Sequence, residues 1–205
     1  MNNQDNFFYA IDNNKALASR RQPRVVQVVQ VVFKTKKLSS KQKNKVVFSN
    51  MEKTNNTPRG IRNNNPLNIR RTSTQWEGLH PVQADREFCQ FIDMKYGYRA
   101  AFRLLMKYYR KYGLHSVQAI INRWAPPSDG NATNAYVKQV VNDLAKTAPG
   151  GVFIGPTSDI GYITETPMLW IMMVVSMTVV ETGRNNINST ALLQGFALAV
   201  YDEVR

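Results

Sequence analysis

The sequence is poor in the residues that build disulfide or metal frameworks. Its 205 residues include one cysteine, Cys89, and two histidines, His80 and His115. A single cysteine excludes an internal disulfide and a multi-cysteine zinc site, and two histidines argue against a histidine-built metal centre. We therefore expect neither a metal ion nor another cofactor.

Long hydrophobic runs are also missing. The longest apolar stretch, Met168–Val180, has thirteen residues and contains Ser176 and Thr178. A membrane-spanning helix needs about twenty predominantly apolar residues. The stretch therefore predicts a buried core helix, and we expect no membrane span.

Acidic residues are scarce, with 14 Asp+Glu against 27 Lys+Arg and a formal net charge of +13. Residues 1–50 hold ten basic and two acidic side chains, a net charge of +8. We expect residues 1–57 to form a basic, disordered extension ahead of a domain at 58–205. Between Arg20 and Lys45 the one aromatic residue is Phe33, which argues against specific nucleic-acid recognition by base stacking.

The first residues show no signal peptide, because Met1–Asp12 is polar and the apolar run Val25–Phe33 is short and interrupted by glutamines. We expect the protein to stay in the cytoplasm until lysis, or to be associated with a virion.

From Pro58 onward the pattern predicts a mostly α domain. Apolar residues recur at helical spacing, and the predicted helices cover Tyr98–Tyr112, residues 116–125, residues 133–144, Pro167–Glu181 and Ser189–Tyr201. Gly113 and Gly183 stand at expected helix ends, Ser116 and Thr166 at expected N-caps. Arg59–Arg71 predicts loops and turns, and Thr72–Phe91 predicts a short β-hairpin or an irregular β excursion.

Glu181 is the first candidate catalytic residue. It lies in the last turn of the most apolar helix, where the apolar surroundings and the helix dipole both raise a carboxyl pKa. A glycosidase needs such a protonated acid to give its proton to the departing sugar oxygen. The alternative is that Glu181 points to solvent or caps neighbouring backbone.

Candidate substrate-binding residues are polar or aromatic: Asn63, Asn64, Asn65, Asn68, Trp76 and Tyr136. Side-chain amides donate and accept hydrogen bonds and so can bind the acetamido and hydroxyl groups of an amino sugar. Asparagines in turns more commonly satisfy their own backbone, and both interpretations stay open. Trp124, on an apolar helix face, is expected in the core.

Asp85 and Glu87 follow Trp76 and are candidates for a second catalytic carboxylate. Two carboxyl groups about 5–5.5 Å apart indicate a retaining glycosidase, and roughly 6.5–9.5 Å an inverting one. A lone acid instead suits a lytic transglycosylase, in which a hydroxyl of the substrate itself attacks.

Several ordered motifs resemble a phage and prophage family whose members are described as virion structural proteins or lysozyme-like lytic proteins. The motifs, within about residues 58–145, are RGIRNNNPLNIRR, Trp76-x-Gly78, Asp85-x-x-Phe88-x-x-Phe91, Gly97-Tyr98-Arg99-Ala100, Ile120-Ile121-x-x-Trp124-Ala125-Pro126-Pro127 and Asn131-x-Thr133-x-x-Tyr136. The resemblance implies a lysozyme-like α domain and peptidoglycan glycan strands as partner, with other virion proteins as further partners.

A weaker similarity concerns the glucosaminidase domains of flagellar-type muramidases. Their catalytic helix ends in Glu-Ser-Gly and precedes an Asn-rich loop and a Trp-x-Gly hairpin. Here the loop at Asn64–Arg70 and Trp76-x-Gly78 keep that order, whereas Glu181-Thr182-Gly183 comes last. If the domain is circularly permuted, Glu181 should lie within about 15 Å of the Asn63–Asn68 loop.

The sequence therefore predicts a peptidoglycan-cleaving glycosidase, either a muramidase, a glucosaminidase or a lytic transglycosylase. The alternative is a non-catalytic virion structural or cell-wall-binding protein that uses the same domain.

Overall fold

The computed structural model describes residues 57–147 and 154–202 and shows a mostly α-helical protein. The α-helices of this part are α1 (Arg59–Arg62), α2 (Met94–Tyr112), α3 (Val117–Trp124), α4 (Thr133–Thr147), α5 (Pro167–Thr182) and α6 (Ser189–Tyr201). Short 3₁₀ helices cover Pro127–Asp129 and Arg184–Asn186. The predicted basic extension, apart from Thr57, lies outside the described residues.

Local signals set most helix ends as predicted. Gly113 ends α2 in the left-handed conformation (φ 64°), where the absence of a Cβ removes the steric penalty. Ser116 begins α3, and its side chain accepts a hydrogen bond from the Ala119 backbone N–H. Asp93 caps α2 in the same way through Lys95 N–H, so this helix starts four residues earlier than Tyr98.

Helix α5 begins at Pro167 and Thr166 occupies its N-cap position, both as predicted, but the Thr166 side chain makes no capping hydrogen bond. Its hydroxyl donates instead to the backbone carbonyls of Ile160 (2.6 Å) and Tyr162 (3.2 Å). The residue therefore holds the preceding loop against the helix.

Over Thr72–Phe91 the described residues form isolated bridges and no strand, so the regular β-hairpin is wrong and the alternative, an irregular β excursion, is what forms. The bridges join Arg70 to Phe88 and Leu79 to Phe91. Side chains occupy the backbone groups that a longer ladder would need: the Gln83 amide accepts from Gln90 N–H and donates to Gln90 C=O. Pairing therefore stops after one or two residues. Arg59–Arg62, expected as loop, forms one helical turn.

The core forms where α2, α3, α4 and α5 supply large buried side chains, and α6 packs against it through smaller ones. Fully buried members include Tyr98, Phe102, Leu105, Ile120, Leu144, Trp170, Met173 and Met177. Helices α2 and α6 approach closely at Gly195, where a Cβ would lie 2.6 Å from Tyr98 Cβ and 2.7 Å from Lys95 O. Beside this crossing, Phe102 and Phe196 pack edge to face at 5.3 Å.

Within the described residues, no helix combines the length and the apolar character that crossing a membrane requires.

We predict that Gly195→Ala lowers the free energy of unfolding by about 1–3 kcal/mol, because the added methyl group overpacks the α2–α6 crossing. This loss should appear although alanine favours the helix by up to about 1 kcal/mol. The measurement is urea denaturation of the full chain. Gln194→Ala, exposed on the same helix, is the control and should change stability by less than about 0.5 kcal/mol. A Gly195→Ala protein as stable as the unaltered one would contradict the close packing.

Candidate functional site

The candidate site is built around Glu181, in the last turn of α5. The helix before it is buried through Trp170, Met173 and Met177, so its apolar face carries the carboxyl group to the edge of the core. Glu181 itself is half-buried. Its side chain therefore has both an apolar setting and an opening towards solvent.

Three side chains from three other segments meet at the Glu181 carboxyl group. The Asn68 amide donates to Oε2 at 2.9 Å. The Trp124 indole N–H and the Tyr136 hydroxyl donate to Oε1, at 3.3 Å and 3.2 Å. The expected proximity of Glu181 to the Asn63–Asn68 loop is thus observed, as direct contact across 113 positions of sequence.

Burial sets the electrostatics of this cluster. Desolvation raises the pKa of Glu181, and the hydrogen bonds from Asn68, Trp124 and Tyr136 partly oppose the rise. Burial, together with the charge of Glu181, also raises the pKa of Tyr136 well above its usual range, so its hydroxyl stays protonated and can donate. Among the described residues, no lysine or arginine forms an ion pair with Glu181. The acid is therefore held without a balancing cation.

The Asn-rich loop is held mainly by its own amides. Asn65 is buried; its side chain accepts from Ile69 N–H and donates to the carbonyls of Ile69 and Cys89. Asn64 donates to Phe91 C=O at 3.0 Å. These bonds stabilise the loop in the way that asparagine commonly does in turns. Asn68 differs, since its amide reaches the Glu181 carboxyl group.

Two glycines let the loop approach the helices. A Cβ on Gly97 would lie 2.1 Å from Asn64 O, and one on Gly60 would lie 2.8 Å from both Asn65 O and Asn68 Oδ1. The same Cβ on Gly60 would lie 3.2 Å from the Thr182 side chain, next to Glu181. Any larger residue at either position would push the loop away from the site.

The two other candidate acids form a separate ion-pair cluster. Arg59 binds both Asp85 oxygens and one Glu87 oxygen, each at 2.7 Å. Asp85 also accepts from the Asn63 amide at 2.8 Å. The Arg59 guanidinium and these hydrogen bonds hold the pKa of Asp85 well below its usual range. In the described part of the chain, neither acid hydrogen-bonds Glu181, so a role as second catalytic carboxylate stays a prediction.

Both tryptophans are half-buried and pack against the core, which agrees in part with the expectation for Trp124. Trp124, expected in the core, is half-buried and contributes its indole N–H to the site. The signal that sequence reasoning missed is that an indole N–H at the core's edge needs an acceptor. Trp76, expected as a glycan contact, is half-buried and packs against the core. Its role in substrate binding stays a prediction, as does that of Tyr136.

The site lies between two walls that meet across an exposed ion pair. One wall is the Asn63–Arg71 loop; the other is the segment from Trp124 to Tyr136. Arg70 and Asp129 join them at 4.0 Å. Two shallow depressions of about 350 Å³ and 250 Å³ border α4, and neither lining includes Glu181. The candidate site is therefore described by its polar cluster.

Within residues 57–147 and 154–202, no group of three or more His, Cys, Asp or Glu side chains is arranged to hold a metal ion. Cys89 is buried, and burial raises the pKa of its thiol, which opposes formation of the nucleophilic thiolate.

Comparison with known proteins finds no matching family model. A stretch of 91 residues, 43% of the chain, is 46% identical to Protein P5 of Pseudoalteromonas phage PM2. The chain is similar to a phage protein. The matched region covers 56% of Protein P5, just over half of its length. This similarity confirms the phage part of the resemblance noted above.

We predict that Asp85→Asn lowers the free energy of unfolding at pH 7 by about 1–2 kcal/mol, because it weakens the charge-assisted hydrogen bonds from Arg59. The effect stays modest because the exposed Arg59 guanidinium is screened by solvent. A carboxyl group whose pKa is lowered in the folded protein stabilises the fold at pH values above its pKa in the unfolded chain, about 3.9. This stabilisation is lost as the pH falls below that value towards the pKa in the folded protein. The difference between the two proteins should therefore shrink below about pH 4.

Chemical denaturation at several pH values measures this difference. Asp129→Asn, which removes the exposed ion pair with Arg70, should cost less than about 0.5 kcal/mol. Equal effects of the two substitutions would contradict a structural role for the Arg59–Asp85 pair.

Proposed function

We propose that this protein is a phage-associated glycosidase that cleaves peptidoglycan, with Glu181 as its general acid. The observation that carries the proposal is the Glu181 carboxyl group itself: half-buried at the end of an apolar helix, with a raised pKa and three converging polar partners. An acid that keeps its proton near neutral pH is what cleavage of a glycosidic bond requires.

The architecture supports a lysozyme-like assignment. The protein is mostly α-helical, its candidate acid ends a buried helix, and an Asn-rich loop packs beside that acid. The order of these parts along the chain is permuted relative to the muramidase-like glucosaminidases that the sequence resembles. The contact between Asn68 and Glu181 supports a common spatial arrangement.

The mechanism we infer uses one acid, Glu181. Protonated Glu181 donates its proton to the glycosidic oxygen as the bond from that oxygen to the sugar C1 breaks. The Glu181 carboxylate, held by Asn68, Trp124 and Tyr136, then accepts a proton from a substrate hydroxyl as that hydroxyl oxygen bonds to C1. Glu181 regains its proton. Because Arg59 engages Asp85 and Glu87, we favour this lytic transglycosylase reaction over one that uses a second protein carboxylate.

A second candidate function is a non-catalytic virion component that binds the cell wall or other virion proteins. The similarity to a phage protein favours this candidate. The hydrogen bonds of Glu181 are also compatible with this second candidate. A carboxylate that accepts hydrogen bonds from three donors can have the purely structural role of joining the segments around it.

We predict that Glu181→Gln lowers the rate of peptidoglycan cleavage by about 10²–10⁴-fold, the usual contribution of a general acid. The full chain is incubated with purified peptidoglycan, and mass spectrometry of the released fragments identifies the bond. Anhydro ends indicate a transglycosylase, and reducing ends indicate a hydrolase. Glu165→Gln, an exposed carboxyl outside the cluster, is the matched control and should keep full activity.

Activity that survives Glu181→Gln would move catalysis to another acid. If the folded, unaltered chain releases nothing from several wall types, the non-catalytic candidate replaces the glycosidase.

The pH profile gives a separate prediction. Activity should fall as pH rises through the pKa of Glu181, above the usual glutamate value of about 4.3. Tyr136→Phe removes a hydrogen bond to the ionised carboxylate, which raises the pKa further and moves this fall to higher pH. Tyr109→Phe is the control, because the hydroxyl that it removes donates to Asp159 and not to Glu181. It should leave the pH profile unchanged. A shift to lower pH in Tyr136→Phe would contradict the assignment.

A further inference from the structure

A row of aromatic rings leads away from Glu181 along α3 and α2. The ring of Trp124, whose indole N–H bonds Glu181, packs edge to face on Tyr108 at 6.3 Å. Tyr108 packs in the same manner on Tyr112 at 6.2 Å. The Arg123 guanidinium lies 5.4 Å from the Tyr108 ring centre and 4.5 Å from that of Tyr112. We call Tyr108, Tyr112 and Arg123 the Tyr-Arg ledge.

Arg123 is held in place but not neutralised. Its exposed guanidinium lies over the two rings, which limits the orientations it can adopt. Arg59 and Arg99, by contrast, form ion pairs with carboxylates at 2.7 Å and 2.9 Å. Among the described residues, no carboxylate forms an ion pair with Arg123. A stacked guanidinium keeps N–H groups in its plane, where they can bind a carboxylate through two parallel hydrogen bonds.

We propose that Arg123 on the Tyr-Arg ledge binds a carboxylate on the peptide branch of the substrate, so that the site selects glycan strands that carry acidic peptides over bare glycan. This inference rests on the proposed function. Trp124 links the two parts, since it contacts Glu181 on one side and the ledge on the other. A glycan strand whose scissile bond lies at Glu181 would place an adjoining peptide branch over the ledge.

The chemistry of the ledge favours an anionic group over a neutral sugar. Sugars stack on open aromatic faces, whereas here the guanidinium lies over Tyr108 and Tyr112. The group presented to a ligand is therefore positive and planar, which matches a carboxylate.

The test measures equilibrium binding by fluorescence polarisation. The probes are labelled soluble glycan strands that carry their peptide branches, or strands that an amidase has stripped of them and whose exposed lactyl carboxylates are then converted to neutral methyl amides, at about 0.15 M salt. All proteins are full chains with Glu181→Gln, so that the probes stay intact. Arg123→Gln should bind the peptide-bearing strands about tenfold more weakly, as expected for losing one charge-assisted contact. Its affinity for the stripped strands should not change.

Two further variants provide controls. Arg110→Gln removes the same charge at a remote place. The Arg110 side chain lies over Tyr162, which packs against Trp170 at the opposite end of α5 from Glu181. This variant should bind both probes normally. Arg123→Lys keeps the charge without the planar fork and should recover only part of the affinity. In proteins with Glu181 intact, Arg123→Gln should raise KM for cleavage of peptide-bearing strands and leave kcat unchanged.

Equal weakening towards both probes, or towards duplex DNA as a general polyanion, would show non-specific charge and overturn this proposal. Unchanged binding by Arg123→Gln would also overturn it. Failure of the proposed function is distinguishable, because it appears as absence of cleavage by the Glu181-intact protein, whatever the binding results.

Discussion

The hydrogen-bonded burial of one carboxyl group organises this protein. Taking a carboxylate out of water is costly unless donors replace the lost hydration. Glu181 meets that requirement with donors from the Asn-rich loop, α3 and α4. The same contacts that lower this cost also join otherwise distant segments. The site and the tertiary fold therefore depend on each other.

Two acidic clusters lie in opposite electrostatic environments. Asp85 is neutralised by Arg59 and holds the polar excursion through Asn63 and nearby backbone N–H groups. Its lowered pKa keeps it charged, which suits a structural anchor and not a proton donor. In the part of the chain that the structure describes, Glu181 has no such cation, and burial raises its pKa. Their opposite environments thus shift the pKa values of two chemically similar acids in opposite directions.

Small residues make this arrangement sterically feasible. Gly97 and Gly60 allow the loop backbone to lie against α2 and against the end of α5, which brings Asn68 to Glu181. Beyond the carboxyl group, Trp124 continues the site into the Tyr-Arg ledge. The path from the packed core through Trp124 to the Tyr-Arg ledge is therefore short and consists of direct contacts.

The sequence by itself determined the helices, because periodicity and end signals such as Gly113, Ser116 and Pro167 act within a few residues. It also singled out Glu181 and its expected proximity to the Asn-rich loop. Only the tertiary structure decided that Trp124 belongs to the site, that Arg59 engages Asp85, and that no regular hairpin forms. These outcomes depend on desolvation and on hydrogen bonds between residues far apart in sequence, such as Asn68 and Glu181, which no local pattern encodes.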